Sequence, residues 1–119
     1  MAKDSEERNF EADLSALETI LGYTFFNKVH LITAITHRSY LNEHREATQD
    51  HNERLEFLGD AVLELVVTDY LFRTYPEKPE GELTAIRAAL VNTISLAEAS
   101  LQLGVNDYLL MSKGEARDT

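Results

Sequence analysis

The stretch from Asn52 to Tyr75, NERLEFLGDAVLELVVTDYLFRTY, constrains the fold more than any other part of this chain. At helical periodicity Glu53, Glu56, Asp60 and Glu64 share one stripe, while Leu55, Leu58, Val62, Leu65 and Val66 lie opposite. Leu63 and Val67 flank the stripe, and Phe57 sits beside it. A helix apolar around most of its circumference is expected to be buried around most of it. Gly59 has no side chain and is expected to let another backbone approach closely.

The remaining chain reads as further helices around this one. Phe10, Leu14, Leu17, Ile20 and Leu21 have helical spacing, and Gly22 marks the stop. Asn27 caps a second helix holding Val29, Leu31, Ile32 and Ile35, followed by the polar segment Thr36–Tyr40. Asn42–Asn52 is polar without periodicity and predicts an exposed loop. Pro76 and Pro79 bracket a turn, and Glu82–Gln102 reads as one helical stretch. Gly104 punctuates, Asp107–Met111 is a short apolar run, and the end, SKGEARDT with Asp118, predicts a loop. No alternating pattern of strands competes, so the expected fold class is all-α, a helical bundle or array.

At 119 residues the chain fits one domain, spanning residues 1–119, and leaves no room for two independent cores. Its 44% hydrophobic content argues against disorder. No apolar run approaches the ~18 residues of a membrane span, and the polar start MAKDSEERNFEAD has no signal-peptide core. Cysteine is absent, which excludes disulfides and thiolate metal sites and is permissive of the cytosol. Eleven basic against twenty-one acidic residues give a net charge of −10, which by itself opposes a grip on nucleic acid. Bound divalent cations or a separate basic module are the two ways around that charge.

Clustered carboxylates on a largely apolar helix repel one another and lose hydration. A divalent cation with oxygen ligands relieves both costs, and Mg2+ takes one or two carboxylates while keeping several waters. The competing reading is a solvated acidic face, which by spacing alone is the commoner one. Glu53 and Glu56 also fall in the first turn, where the helix dipole favours carboxylates without any function.

The string Asn52-Glu53-Arg54-Leu55-Glu56-Phe57-Leu58-Gly59-Asp60-Ala61-Val62-Leu63 resembles, without interruption, the signature motif of the ribonuclease III family. Other segments agree in order. Thr36-His37-Arg38-Ser39 resembles the THRS segment upstream of the signature in bacterial members. Glu80-Gly81-Glu82-Leu83, Arg87-Ala88-Ala89-Leu90-Val91-Asn92 and Gly114-Glu115 resemble the segments downstream. The likeness runs from about Leu14 to the end of the chain.

The resemblance implies an all-α, Mg2+-dependent endoribonuclease domain acting on double-stranded RNA, with Mn2+ as a substitute ion. It implies a homodimer built on the signature helix, with Phe57 entering a socket on the other subunit. It makes Glu56 and Asp60 metal ligands, Asp60 the catalytic carboxylate, and Glu53 and Glu80 further acids lining the cleft. The products would be 5′-phosphate and 3′-hydroxyl ends, with a short 3′ overhang cut by two sites across the dimer. RNA processing in the cytoplasm, including that of rRNA, and no membrane association complete the picture. His37 and Arg38 are expected to pack and hydrogen-bond between helices, Asn92 to be structural, and Glu64 to be solvated or in a local salt bridge. His30, His44 and His51 suggest no ligand set.

The chain departs from the family pattern after Gly114-Glu115. Members continue with a glycine-rich turn and a helix whose Asp and Glu complete the metal cage, and bacterial members add a double-stranded-RNA-binding domain. The expectation is a fold incomplete at its C-terminus, a fragment of a longer nuclease, slow or inactive by itself. A naturally short relative is the other explanation. Two rival functions stand beside the nuclease: a catalytically silent dimerisation or RNA-associated scaffold, and a plain acidic interaction domain. Intact Glu56 and Asp60 argue against the first rival, and the uninterrupted signature against the second.

Overall fold

A computed structural model describes residues 9–117, so the readings of the polar N-terminus and of Asp118 lie outside the described residues. The described residues are all-α: α1 (Phe10–Leu21), α2 (Lys28–Ile35), α3 (Arg38–Glu43), α4 (Glu53–Thr74), α5 (Glu80–Leu90), α6 (Thr93–Leu103) and α7 (Lys113–Arg117), with a 3-10 turn at Val105–Tyr108. Extended pairing among them is limited to one isolated parallel bridge, Thr36 with Leu110.

The chain forms two compact units. Among the described residues, one comprises 9–53 together with 103–117. Its helices start and stop where side chains dictate. Asn9 and Asn27 accept the backbone N–H of Ala12 and Val29, each at 3.0 Å, and so cap α1 and α2. Gly22 ends α1 at φ 72°, a left-handed conformation that a side chain would strain. Leu14 and Leu17 of α1 then bury against Leu31 and Ile35 of α2, with Phe25, Ile32, Val105, Tyr108, Leu109 and Leu110 around them. The chain from the 3-10 turn is stitched to α2 by Leu110 N–H donating to Ile35 O and His37 N–H donating to Leu110 O, both at 2.8 Å.

The other unit, Arg54–Gln102, holds the body of α4 with α5 and α6. Its one buried hydrophobic side chain is Leu71. Leu58, Val62, Leu65 and Val66, expected to be buried, are each at least 50% exposed. On the acidic side Arg87 of α5 donates to Thr68 Oγ1, and Thr68, Leu71 and Phe72 line one cavity with Leu83, Thr84 and Arg87. Most of the apolar face is thus open to solvent, while Leu55 at its start is half-buried. Gly59 likewise faces open space, with nothing within 4 Å of the position a Cβ would take.

Three local expectations are corrected. The stretch Glu82–Gln102 is two helices because Asn92 interrupts it: its Nδ2 donates to Ala88 O and Ala89 O, and its Oδ1 accepts from Ser95 N–H at 2.9 Å. One side chain thus closes α5 and opens α6. The polar loop starts later than expected, because His37 caps α3 through Ser39 N–H and carries the helix to Glu43. The SKGEARDT segment contains a helical turn, α7, at whose start Ser112 Oγ accepts from Glu115 N–H at 3.1 Å.

Candidate active site

Helix α4 presents Glu56 and Asp60 one turn apart on one face, both exposed and without a hydrogen-bonding or ionic partner among the described residues. Such a pair repels itself by roughly 0.2–0.5 kcal/mol. Oxygen donors that are accessible, adjacent and uncommitted suit Mg2+, which fills its remaining positions with water. The pair is small for a metal centre, and no group of three or more His, Cys, Asp or Glu converges among the described residues.

The other sequence-predicted acids stand differently. Glu53 is the first residue of α4, and its carboxylate is held by Arg38 Nη2, 2.6 Å from Oε1 and 2.5 Å from Oε2. Asn52 fixes the same point: its N–H donates to Thr36 O at 2.9 Å and its Nδ2 to Ala34 O at 3.0 Å. Glu64 faces Arg87, whose Nε lies 3.8 Å from Oε2 and whose Nη1 donates to Thr68 Oγ1 at 2.9 Å.

Glu80 opens α5 and is not brought to Asp60. It lines a cavity of about 440 Å³ with Thr68, Leu71, Phe72, Lys78, Leu83, Thr84 and Arg87. Leu71 and Phe72 lie three turns beyond Asp60, roughly 16 Å along the α4 axis. In the first turn of α5, beside Glu82, Glu80 is where a helix dipole favours a carboxylate. Phe57 is 84% exposed, an unusual placement for a phenylalanine ring that has nothing to cover it.

Sequence reasoning allowed a local salt bridge at Glu64 without naming Arg87, and it missed the Arg38–Glu53 pairing. Arg87 has a readable signal, since it stands seven residues from Glu80 and so shares a face of α5 with it. The Arg38–Glu53 contact has none, because a polar loop separates the two in sequence. The expectation of hydrogen bonds between helices is met by Arg38, which joins α3 to the start of α4, but not by the His37 side chain, which caps its own helix at Ser39.

The chain matches the family model described as Ribonuclease-III-like over residues 27–119. It is 53% identical over 103 residues to Ribonuclease 3 of Carboxydothermus hydrogenoformans, covering 87% of this chain and 44% of the relative. It is 50% identical over 109 residues to Ribonuclease 3 of Bacillus cytotoxicus, covering 92% of this chain and 44% of that protein. The chain thus spans somewhat less than half the length of these relatives. A solved nuclease domain of ribonuclease III from Campylobacter jejuni superposes with a TM-score of 0.77 at 45% identity, covering 88% of this chain and 69% of that one. That structure is described as showing flexibility in the region involved in dimer formation. A second structure of the same nuclease domain gives 0.73 at 42% identity, with 98% and 69% covered. No helix among the described residues is long and apolar enough to cross a membrane. By family model, by sequence identity and by all-α fold, the chain belongs to the ribonuclease III-like family.

Proposed function

We propose that this chain is part of the catalytic domain of a Mg2+-dependent endoribonuclease that cleaves double-stranded RNA. Its setting is RNA processing in the cytoplasm, rRNA included. The observation that carries the reading is the unbroken signature on α4 with Glu56 and Asp60 exposed, uncommitted and one turn apart. These two carboxylates hold the cation, Asp60 being the catalytic one, and Mn2+ substitutes for Mg2+ through the same oxygen donors. A divalent cation bound there supplies charge neutralisation at the phosphate and an activated water.

Hydrolysis breaks the bond between phosphorus and the 3′ oxygen. The water oxygen stays on the 5′-phosphate, and the 3′ oxygen leaves as a hydroxyl. Glu56 and Asp60 bind and orient for this step, while Glu53, held by Arg38, and Glu80, in the cavity farther along α4, stand outside the pair. The active form is a homodimer, with Phe57 as the ring that enters the second copy. Its exposure beside the acidic stripe, and the dimer-forming region described for the Campylobacter nuclease domain, support that arrangement.

Melting with and without Mn2+ tests the site in the chain itself. Asp60→Asn is expected to raise the Tm of the ion-free protein by roughly 1–3 °C through relief of repulsion, and to abolish any stabilisation by Mn2+. Cleavage is tested on the chain fused to the stretch that follows the matched region in the Carboxydothermus relative. Duplex RNA is cut by that fusion and spared by its Asp60→Asn form. Identical Mn2+ responses and equal cleavage by the two forms would sink the assignment.

A further inference from the structure

The four carboxylates of the α4 stripe are of two kinds. The outer two, Glu53 and Glu64, each face an arginine: Arg38 at 2.5 Å and Arg87 at 3.8 Å. The inner two, Glu56 and Asp60, face none among the described residues. A stripe of this kind is a ladder on which an ion held by adjacent rungs has three competing seats: Glu53 with Glu56, Glu56 with Asp60, and Asp60 with Glu64. Arginines at both ends remove that degeneracy.

We propose that Arg38 and Arg87 are positioning residues that keep Glu53 and Glu64 occupied and so confine a bound divalent cation to Glu56 and Asp60. This rests on the reading of that pair as the cation site. To seat an ion on an outer rung, an arginine pair must first be broken and the cation brought beside a guanidinium. Arginine suits the task because it stays charged at every physiological pH and offers several donors in a fixed plane. Arg87 uses a second donor on Thr68, 2.9 Å away, which aims the guanidinium at the stripe. Both pairs are partly exposed, with side-chain exposures of 60% and 47% for Arg38 and Glu53 and 33% and 55% for Arg87 and Glu64. Pairs so exposed add little to folding stability, so their effect is on where negative charge is free. The arrangement also accounts for Glu64, which shares the acidic face yet has no place in the inner pair.

The test is Mn2+ binding by the 119-residue chain at low ionic strength, read from the electron paramagnetic resonance of the free ion. Arg87→Ala is expected to bind Mn2+ roughly threefold to tenfold tighter, since a positive charge near the ion is lost and a carboxylate is freed. Adding Glu64→Gln to that variant returns the affinity to within about twofold of the parent, and Arg87→Lys stays near the parent. Arg38→Ala, with and without Glu53→Gln, repeats the pattern at the other end. The control is Arg73→Ala, which removes the same charge from the Asp69 pair on α4, 3.0 Å apart and off the stripe, and changes little. Equal tightening by Arg73→Ala makes the effect one of net charge and overturns the proposal. Unchanged affinity with a lowered Tm in Arg87→Ala leaves only helix packing and overturns it too, as does a pattern confined to one end. Binding by Asp60→Asn equal to the parent's removes the cation site itself, and the bracket falls with it. A parent that binds through Asp60 but ignores Arg87 overturns the bracket alone.

Discussion

The unit built on α1 and α2 and the unit built on α4 spend similar side chains in opposite ways. In the first, Leu14, Leu17, Leu31 and Ile35 close on one another, and the helix ends around them are capped by Asn9, Asn27 and Gly22. In the second, the longest helix of the chain buries Leu71 and leaves Leu58, Val62, Leu65 and Val66 in solvent. Its acids differ as well: Glu18 of the first unit is buried and paired, whereas Glu56 and Asp60 of the second are exposed and unpaired. Hydrophobic content therefore does not decide which segment makes a core. The first unit closes a small core while leaving single side chains such as Phe26 in solvent, whereas the second presents a broad apolar face fit for association.

The sharpest break of this comparison is a pair of truncations. Leu17→Ala, in the closed core, is expected to cost about 2–5 kcal/mol of stability. Leu65→Ala, on the open face, should stay within about 0.5 kcal/mol. Urea unfolding at low protein concentration measures both. A Leu65 cost as large as that of Leu17 would mean that the open face is covered in solution. Next in size is Phe57→Ala: truncating a central aromatic of an interface costs about 2 kcal/mol or more, roughly thirtyfold in affinity. Sedimentation at equal concentration is expected to show more monomer for that variant. Unchanged association would remove Phe57 from the interface.

What could be read in the sequence follows the same division. Helix starts and stops set by local chemistry were legible, at Asn27, Gly22 and Gly104, because a cap or a positive φ is a property of a few adjacent residues. The break at Asn92 was not, since apolar spacing runs through it and only the side chain's paired bonds to α5 and α6 end the helix. Burial of the α4 apolar face was misjudged because periodicity says which side is apolar, not whether anything covers it. That Glu56 and Asp60 share an exposed face of α4 one turn apart was legible from spacing, while their role rests on the signature. Family likeness makes Glu80 a further acid of the cleft, and its position beside Leu71 and Phe72 is a tertiary fact that no spacing encodes.

The smallest expected effect concerns Glu18, the acid that the first unit does pair. Its Oε2 accepts from Lys28 Nζ at 2.5 Å and from Phe25 N–H at 2.8 Å, tying the end of α1 to the start of α2. The Lys28 hydrogen bond, then the Phe25 N–H, hold the carboxyl below the ordinary glutamate range, and burial only partly opposes them. A carboxyl whose folded value is depressed binds its proton more readily in the unfolded chain. Its stabilisation is therefore complete above the unfolded value, near pH 4.5, and is lost as acid takes the solution through the lower folded value. Glu18→Gln keeps the size and discards the charge, so it should melt below the parent at neutral pH. The gap should close as the pH falls below about 4.5 and through the lower folded value, where the parent's own carboxyl becomes neutral. Asp60→Asn neutralises an acid of the other unit and shifts Tm the opposite way at neutral pH, which makes the two variants a matched pair. A Glu18→Gln deficit that persists unchanged into acid would show that shape rather than charge joins α1 to α2. The contrast between a paired and an unpaired carboxylate would then no longer distinguish the two units.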